Sequence, residues 1–153
     1  MLDMCDELGL YVVEECDLET HGFSDVGWQS NPVDDPWWSQ AVLERLRRMV
    51  SRDRNHACVV MWSLGNESGA GQLLARMHDA CHELDPSRPV HYENDRPLHR
   101  YSDVYSRMYA TPDEVRLIGT HSEPVEEDLA QDAIRRAQPF VLCEYAHAMG
   151  TGP

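Results

Sequence analysis

The strongest constraint on this chain is its alternation of short, continuously apolar runs with segments of helical period. The runs fall at residues 11–15, 59–64, 89–93, 104–109 and 140–144, and each suits a strand buried on both faces. Between the first two lies a helix. Asp35 can cap it, Pro36 suits its first turn, and Val42, Leu46, Met49 and Val50 make one apolar stripe. A second helix follows residue 64, with Leu73, Leu74, Met77, Cys81 and Leu84 on one side and Pro86 beyond its end. A third is predicted over about residues 123–137. It opens on Glu123, Glu126, Glu127 and Asp128 and closes on Arg135 and Arg136, which complements the helix dipole. Alternation of this kind predicts an α/β fold with a parallel sheet. One link is anomalous: about ten residues separate Glu93 from Val104, which is short for a helical crossover. Either a strand is misassigned there, or the fold lacks a helix at that point.

Composition removes several functional classes. The 153 residues, 42% of them hydrophobic, suffice for one domain with a core. A net charge of −14 with no basic run argues against nucleic acid as a partner. All 13 basic residues are arginine, so Schiff-base chemistry, a pyridoxal site and a P-loop lysine are excluded. No apolar stretch reaches 18 residues and the first residues do not resemble a signal peptide, so no membrane span is expected. Five cysteines without a Cys-x-x-Cys pair read as buried structural thiols in a reducing, cytoplasmic setting. Residues 2–8 look like the last turns of a helix stopped at Gly9, and the chain finishes directly after a motif-rich stretch. We therefore expect residues 1–153 to be a piece of something larger.

The chemistry concentrates at strand ends. The second run delivers Asn66-Glu67 and the last delivers Glu144, at the carboxyl ends where α/β sheets keep their active sites. Either glutamate alone fits a helix cap or a solvated strand end. Two of them, 77 positions apart, suggest opposed carboxyl groups in one cleft, the arrangement that glycosidic cleavage requires. After the first run, Glu19 and His21 are two apart and point the same way in an extended segment. Beside Glu67 they would suit magnesium or manganese, although a surface salt bridge gives the same pattern. Tyr109 closes a strand near the expected cleft, and His147 lies three residues past Glu144. Trp62 reads as core, as do Trp37 and Trp38 at a helix start, while Trp28 has no assigned role. Ser63 and Ser68 lack a nucleophile elbow. His78 and His82, four apart on a helix face, read as exposed, with a metal pair as the alternative.

The segment from Asp53 to Glu67, with Val59-Val60-Met61-Trp62-Ser63-Leu64-Gly65-Asn66-Glu67 at its end, resembles the catalytic barrel of large bacterial β-galactosidases in glycoside hydrolase family 2. Glu19-Thr20-His21-Gly22 and Leu142-Cys143-Glu144-Tyr145-Ala146-His147-Ala148-Met149-Gly150 match two further motifs of that family in the right order. The resemblance implies a partial (β/α)8 barrel holding about five of the eight parallel strands. It implies Glu67 as acid/base, Glu144 as nucleophile, and Asn66, Tyr109 and His147 as substrate contacts. Glu19, His21 and Glu67 would be the magnesium ligands. A retaining hydrolysis of terminal β-D-galactosides by a homo-oligomeric parent is expected, with the carboxyl groups ~5–5.5 Å apart; the alternatives are a β-glucuronidase or other β-glycosidase of the same family, or a non-catalytic carbohydrate-binding or complementing fragment. The family's barrel is irregular around its fifth helix, which would explain the short link after Glu93. A closed barrel takes ~250 residues, so this chain alone is expected to be inactive and to expose strand edges.

Overall fold

All five apolar runs form strands, but they do not form one sheet. The computed structural model describes residues 1–95, 99–148 and 150. Strands β1 (Val12–Glu15), β2 (Val59–Ser63) and β3 (Val90–His91) pair in parallel in that order. Strands β4 (Tyr105–Met108) and β5 (Phe140–Cys143) form a separate parallel pair. The molecule is thus mixed α/β with two small parallel sheets among the described residues, and they do not close into a barrel. Helix α1 (Leu2–Leu8) stops where expected, at Gly9, whose positive φ of 69° lets its N–H reach the Cys5 carbonyl. Among the described residues, no helix is long and apolar enough to cross a membrane.

The core lies where two helices cover the three-stranded sheet. Helix α2 (Ser39–Asp53) buries Val42, Leu43, Leu46, Met49 and Val50, the stripe legible in the sequence. Asp35 does cap the entry, by accepting from the Trp37 N–H at 2.9 Å, but through a 3-10 turn (Pro36–Trp38) that precedes the helix. The outer side of that turn is uncovered, so Trp37 and Trp38, expected to pack, are exposed. Helix α3 (Gln72–Leu84) buries Leu73, Leu74, Met77 and Cys81. Trp62 is fully buried, as expected. Its indole N–H donates to Asp85 at 2.9 Å, which removes the cost of an unpaired buried donor. The five cysteines are free, and burial pushes the Cys16 and Cys81 thiols up to about 12.

The two-stranded sheet carries two helices where the sequence pattern gave one. Helix α4 (Pro112–Gly119) starts at a capping box in which Thr111 accepts from the Glu114 N–H and Glu114 reaches back to the Thr111 N–H. Helix α5 begins only at Leu129 and runs to Ala137, capped by Asp128. Glu123 and Glu126 therefore do not form a first helical turn. They turn back instead onto Arg135, whose guanidinium is almost fully buried against Glu123, Glu126 and Asp132 and lies 5.2 Å from the centre of the Tyr105 ring.

The short link after Glu93 is explained by side chains. Both flanking strands are real, and the described residues of the link hold no helix; residues 96–98 lie outside the described residues. The buried Asp95 carboxylate accepts from the Tyr101 and Ser102 N–H groups at 2.6 and 2.9 Å, and so folds the link back without a helix. Val90 and Asp103 then exchange two bonds across the seam: the Asp103 N–H donates to the Val90 carbonyl at 2.8 Å, and the Val90 N–H donates to the Asp103 carboxylate at 2.7 Å.

A row of five polar side chains crosses both sheets, one from each strand. Ser63 Oγ donates to Glu15 at 2.7 Å and lies 2.9 Å from His91 Nδ1. His91 Nε2 lies 2.9 Å from Ser106 Oγ, which is 3.1 Å from Cys143 Sγ. The donor count fixes the order. Ser63 spends its proton on Glu15, so it must accept from Nδ1–H, which leaves Nε2 to accept from Ser106. Burial holds the imidazole pKa down to about 4, so the ring is neutral at pH 7. The five residues sit directly below the strand ends that carry Glu67, Tyr109 and Glu144, and they bridge the seam where no ladder joins β3 to β4.

Two stability predictions follow from these contacts. Arg88 bonds Asp85 and the carbonyls of Val59 and His56, fixing the entry to β2. Arg88 and Asp85 are both largely buried, so Arg88→Met should cost ~3–5 kcal/mol in urea unfolding, because Asp85 is left without its counter-charge. His91 titrates lower when folded than its usual ~6.5 when unfolded, so the unfolded chain binds the extra proton between those values. Stability should therefore fall as pH drops from ~6.5 towards 4, by up to ~3 kcal/mol. His91→Gln keeps a donor and an acceptor but cannot titrate. Unfolding curves at pH 7 and 4.5 should show a smaller acid loss for His91→Gln than for the parent chain.

Candidate active site

Three backbone positions aim the chemistry. Glu67, Tyr109 and Glu144 follow β2, β4 and β5, and each has a positive φ, of 40°, 55° and 47°. Left-handed backbone is costly for residues with a Cβ, and it persists where the surroundings over-determine it. The turn turns each side chain away from the line of its strand at the strand's carboxyl end.

The loop that carries Glu67 is clamped from three sides. The Asn66 N–H donates to the Leu18 carbonyl at 2.9 Å, and Asn66 bridges to Glu19. Gly65 permits this approach, since a Cβ there would lie 2.4 Å from the Leu18 carbonyl oxygen. Behind Glu67, the buried Ser68 accepts from the Thr20 N–H at 3.1 Å, and its carbonyl accepts from Asn31 at 2.8 Å. Tyr92, also buried, accepts from the Ser68 N–H and donates to the Gly69 carbonyl. Trp28, without a role in the sequence reading, lays its ring against Gly69, where a Cβ would meet it at 2.9 Å. Thr20, Asn31, Ser68 and Tyr92 therefore fix the separation between the Glu19–His21 segment and Glu67. Nothing in their spacing along the chain announces this.

The residues expected to hold a cation do converge. The ligand atoms of Glu19, His21 and Glu67 lie within 4.8 Å of one another, and His21 Nδ1 is 2.7 Å from Glu67 Oε2. Two carboxylates and one imidazole form a donor set that suits a hard divalent ion with water completing its shell.

The second carboxylate has its own partner. The Tyr109 hydroxyl donates a short hydrogen bond to Glu144, and the Tyr109 ring lies 6.2 Å from the His147 ring. That bond, with the negative charges of Glu144 and Glu67 nearby, pushes the phenol up to about 12. Tyr109 thus keeps its proton at neutral pH and feels both carboxylates. A further carboxylate escaped the sequence reading: Glu93, at the end of the third apolar run, accepts from the Glu67 N–H at 2.9 Å. Its position after a strand was the available signal. Below Glu144, a cavity of about 370 Å³ is lined by Val13, Glu15, Met61, His91, Val141 and Cys143 among others. A larger cavity of about 540 Å³, beside Asp34, Arg76 and Tyr101, holds none of these carboxylates. Met149 of the last motif, and residues 151–153 after it, lie outside the described residues.

Comparison with known proteins identifies the family of the chain. The family model described as glycosyl hydrolases family 2, TIM barrel domain, matches residues 1–153. A β-galactosidase of Arthrobacter sp. (strain B7) is 53% identical over 154 residues, covering 99% of this chain and 15% of that protein. The β-galactosidase BgaC of Bifidobacterium adolescentis is 39% identical over 160 residues, covering 97% of this chain and 14% of that protein. The chain therefore spans about one-seventh of the curated relatives it matches. Among solved structures, a family 2 β-galacturonidase from Eisenbergiella tayi bound to galacturonate superposes with a TM-score of 0.62 at 22% identity, covering 92% of this chain and 26% of that chain. A β-glucuronidase from Parabacteroides merdae gives 0.60 at 21%, covering 92% and 18%. At such identities the likeness is one of fold. The match from first residue to last, with curated relatives 39–53% identical over nearly the whole chain, makes this chain a member of glycosyl hydrolases family 2, within that family's TIM barrel domain.

Proposed function

We propose that this chain supplies both catalytic carboxylates of a retaining β-galactosidase, as part of a larger (β/α)8 barrel. The observation that carries the reading is the hydrogen bond from the Tyr109 hydroxyl to Glu144 at one strand end, with Glu67 gathered against Glu19 and His21 at another. In the first step the Glu144 carboxylate attacks the anomeric carbon. The glycosidic bond breaks, and its oxygen takes a proton from the Glu67 carboxylic acid. In the second step water attacks the same carbon and gives its proton to Glu67, and the ester to Glu144 breaks to return the carboxylate. Tyr109 holds Glu144 in line through its hydroxyl. Asn66 would bond the sugar 2-hydroxyl more strongly as the ring flattens towards an oxocarbenium ion, and His147 would contact the substrate. Glu19, His21 and Glu67 would hold magnesium or manganese, whose positive charge would steady the carboxylate of the acid between proton transfers.

The relatives that match with high identity are named β-galactosidases, which supports a terminal β-D-galactoside as the substrate. The uronidases of similar fold match at 22% identity or less in the two cases above. Five free thiols fit a reducing cytoplasm, and a homo-oligomeric parent belongs to the same proposal.

Three outcomes test the reading. In the longer enzyme that carries this chain, Glu144→Gln should abolish trapping of a 2-fluorogalactoside, measured by intact mass; labelling that persists elsewhere would remove Glu144 as nucleophile. Tyr109→Phe should lower kcat ~10²-fold, because the nucleophile loses the hydroxyl that orients it. The isolated 153-residue chain should hydrolyse nitrophenyl galactoside at or near background, since half-exposed Val13 leaves the cavity wall open on one side. A panel of galactoside, glucuronide and glucoside on the longer enzyme decides the sugar.

A further inference from the structure

Away from the carboxylate cleft, one cluster of side chains has the chemistry of a transition-metal site. His78 and His82 lie one turn apart on α3, and both turn towards Asp103, just before β4. His78 Nε2 is 3.2 Å from Asp103 Oδ1, and His82 Nε2 is 2.9 Å from Oδ2. The three ligand atoms lie within 4.8 Å of one another. The two rings meet edge to face with centroids 4.8 Å apart, and the Nε2 atom of each faces the Asp103 carboxylate. The side chains are only partly exposed, at 19%, 35% and 34%. Asp103 is anchored independently of the histidines: its backbone N–H donates to Val90, and its Oδ2 accepts from the Val90 N–H at 2.7 Å. The carboxylate therefore cannot swing away from the rings.

We propose that His78, His82 and Asp103 form a zinc site. Two imidazoles at i and i+4 on one helix face converge on a single ion, and one carboxylate completes a three-ligand set with a fourth position for water. A nitrogen-rich set of this kind selects zinc over magnesium or calcium, which prefer oxygen. The placement gives the ion a structural task. Helix α3 packs on the three-stranded sheet, whereas Asp103 opens the strand that begins the two-stranded one. Zinc here would tie the two sheets together across the seam that lacks a ladder. The proposal does not depend on the glycosidase reading.

The test uses zinc ion alone. The full 153-residue chain is stripped with a chelator and titrated calorimetrically near neutral pH, with thermal unfolding measured in parallel. One zinc equivalent is expected to bind and to raise the unfolding midpoint. It should survive Glu19→Gln/His21→Gln and Cys58→Ser, which disable the other two clusters of metal-ligating groups. It should be lost in His78→Gln/His82→Gln. His82→Gln alone, which alters the more exposed ring, should weaken it and keeps the test valid if the double variant does not fold. Zinc binding unchanged by the His78 and His82 substitutions would overturn the proposal, as would a parent chain that binds no zinc.

Discussion

One neutral imidazole, bonded on both ring nitrogens, carries the register of this molecule across its weakest seam. His91 accepts from one sheet and donates into the other, and it does so because burial makes its charged form expensive. Parallel strands normally keep register through their ladders, but between β3 and β4 the backbone contributes only the exchange of Val90 with Asp103. The polar row from Glu15 to Cys143 completes the joint with side chains. The strand ends above it therefore inherit their spacing from hydrogen bonds of fixed length. Such a floor holds the strand-end carboxylates at a steadier spacing than apolar contacts would, since those alone allow sliding.

Much of this architecture was legible in the sequence, and the reasons are local. Continuous apolar runs located all five strands, and the stripes on α2 and α3 located the helices that cover them. Strand-end Asn66-Glu67 and Glu144, with Glu19 and His21, stood out as candidates because acidic residues at the edge of apolar runs are costly without a partner, and Glu19, His21 and Glu67 do converge. What escaped was long-range. The split into two sheets depends on pairing that no local pattern encodes. The acidic stretch before α5 looked like a helix start, but Glu123 and Glu126 are partners of Arg135. The capping box at Thr111 was readable and would have separated α4 from α5. Tyr92 and Asn31 act on the site through backbone groups of other segments, so their spacing along the chain carries no signal; for Glu93 the one signal was its place after a strand.

Charge is distributed with the site in view. The chain carries a net charge of −14, and Glu15, Glu19, Glu67, Glu93 and Glu144 all lie at or just past strand ends. Such a concentration repels anions. Arginine balances part of the remainder deep in the structure, where Arg88 and Arg135 each satisfy several acceptors at once with a planar fork that lysine lacks.

The left-handed turns at Glu67, Tyr109 and Glu144 carry a consequence for directed evolution. Each holds a side chain in a conformation that costs ~1–2 kcal/mol and that glycine adopts freely. Selection for heat resistance alone would reward glycine at all three positions, and so would erase the chemistry while hardening the scaffold. Under the roles proposed for them, two acids and a phenol at these positions mark places where durability was exchanged for turnover.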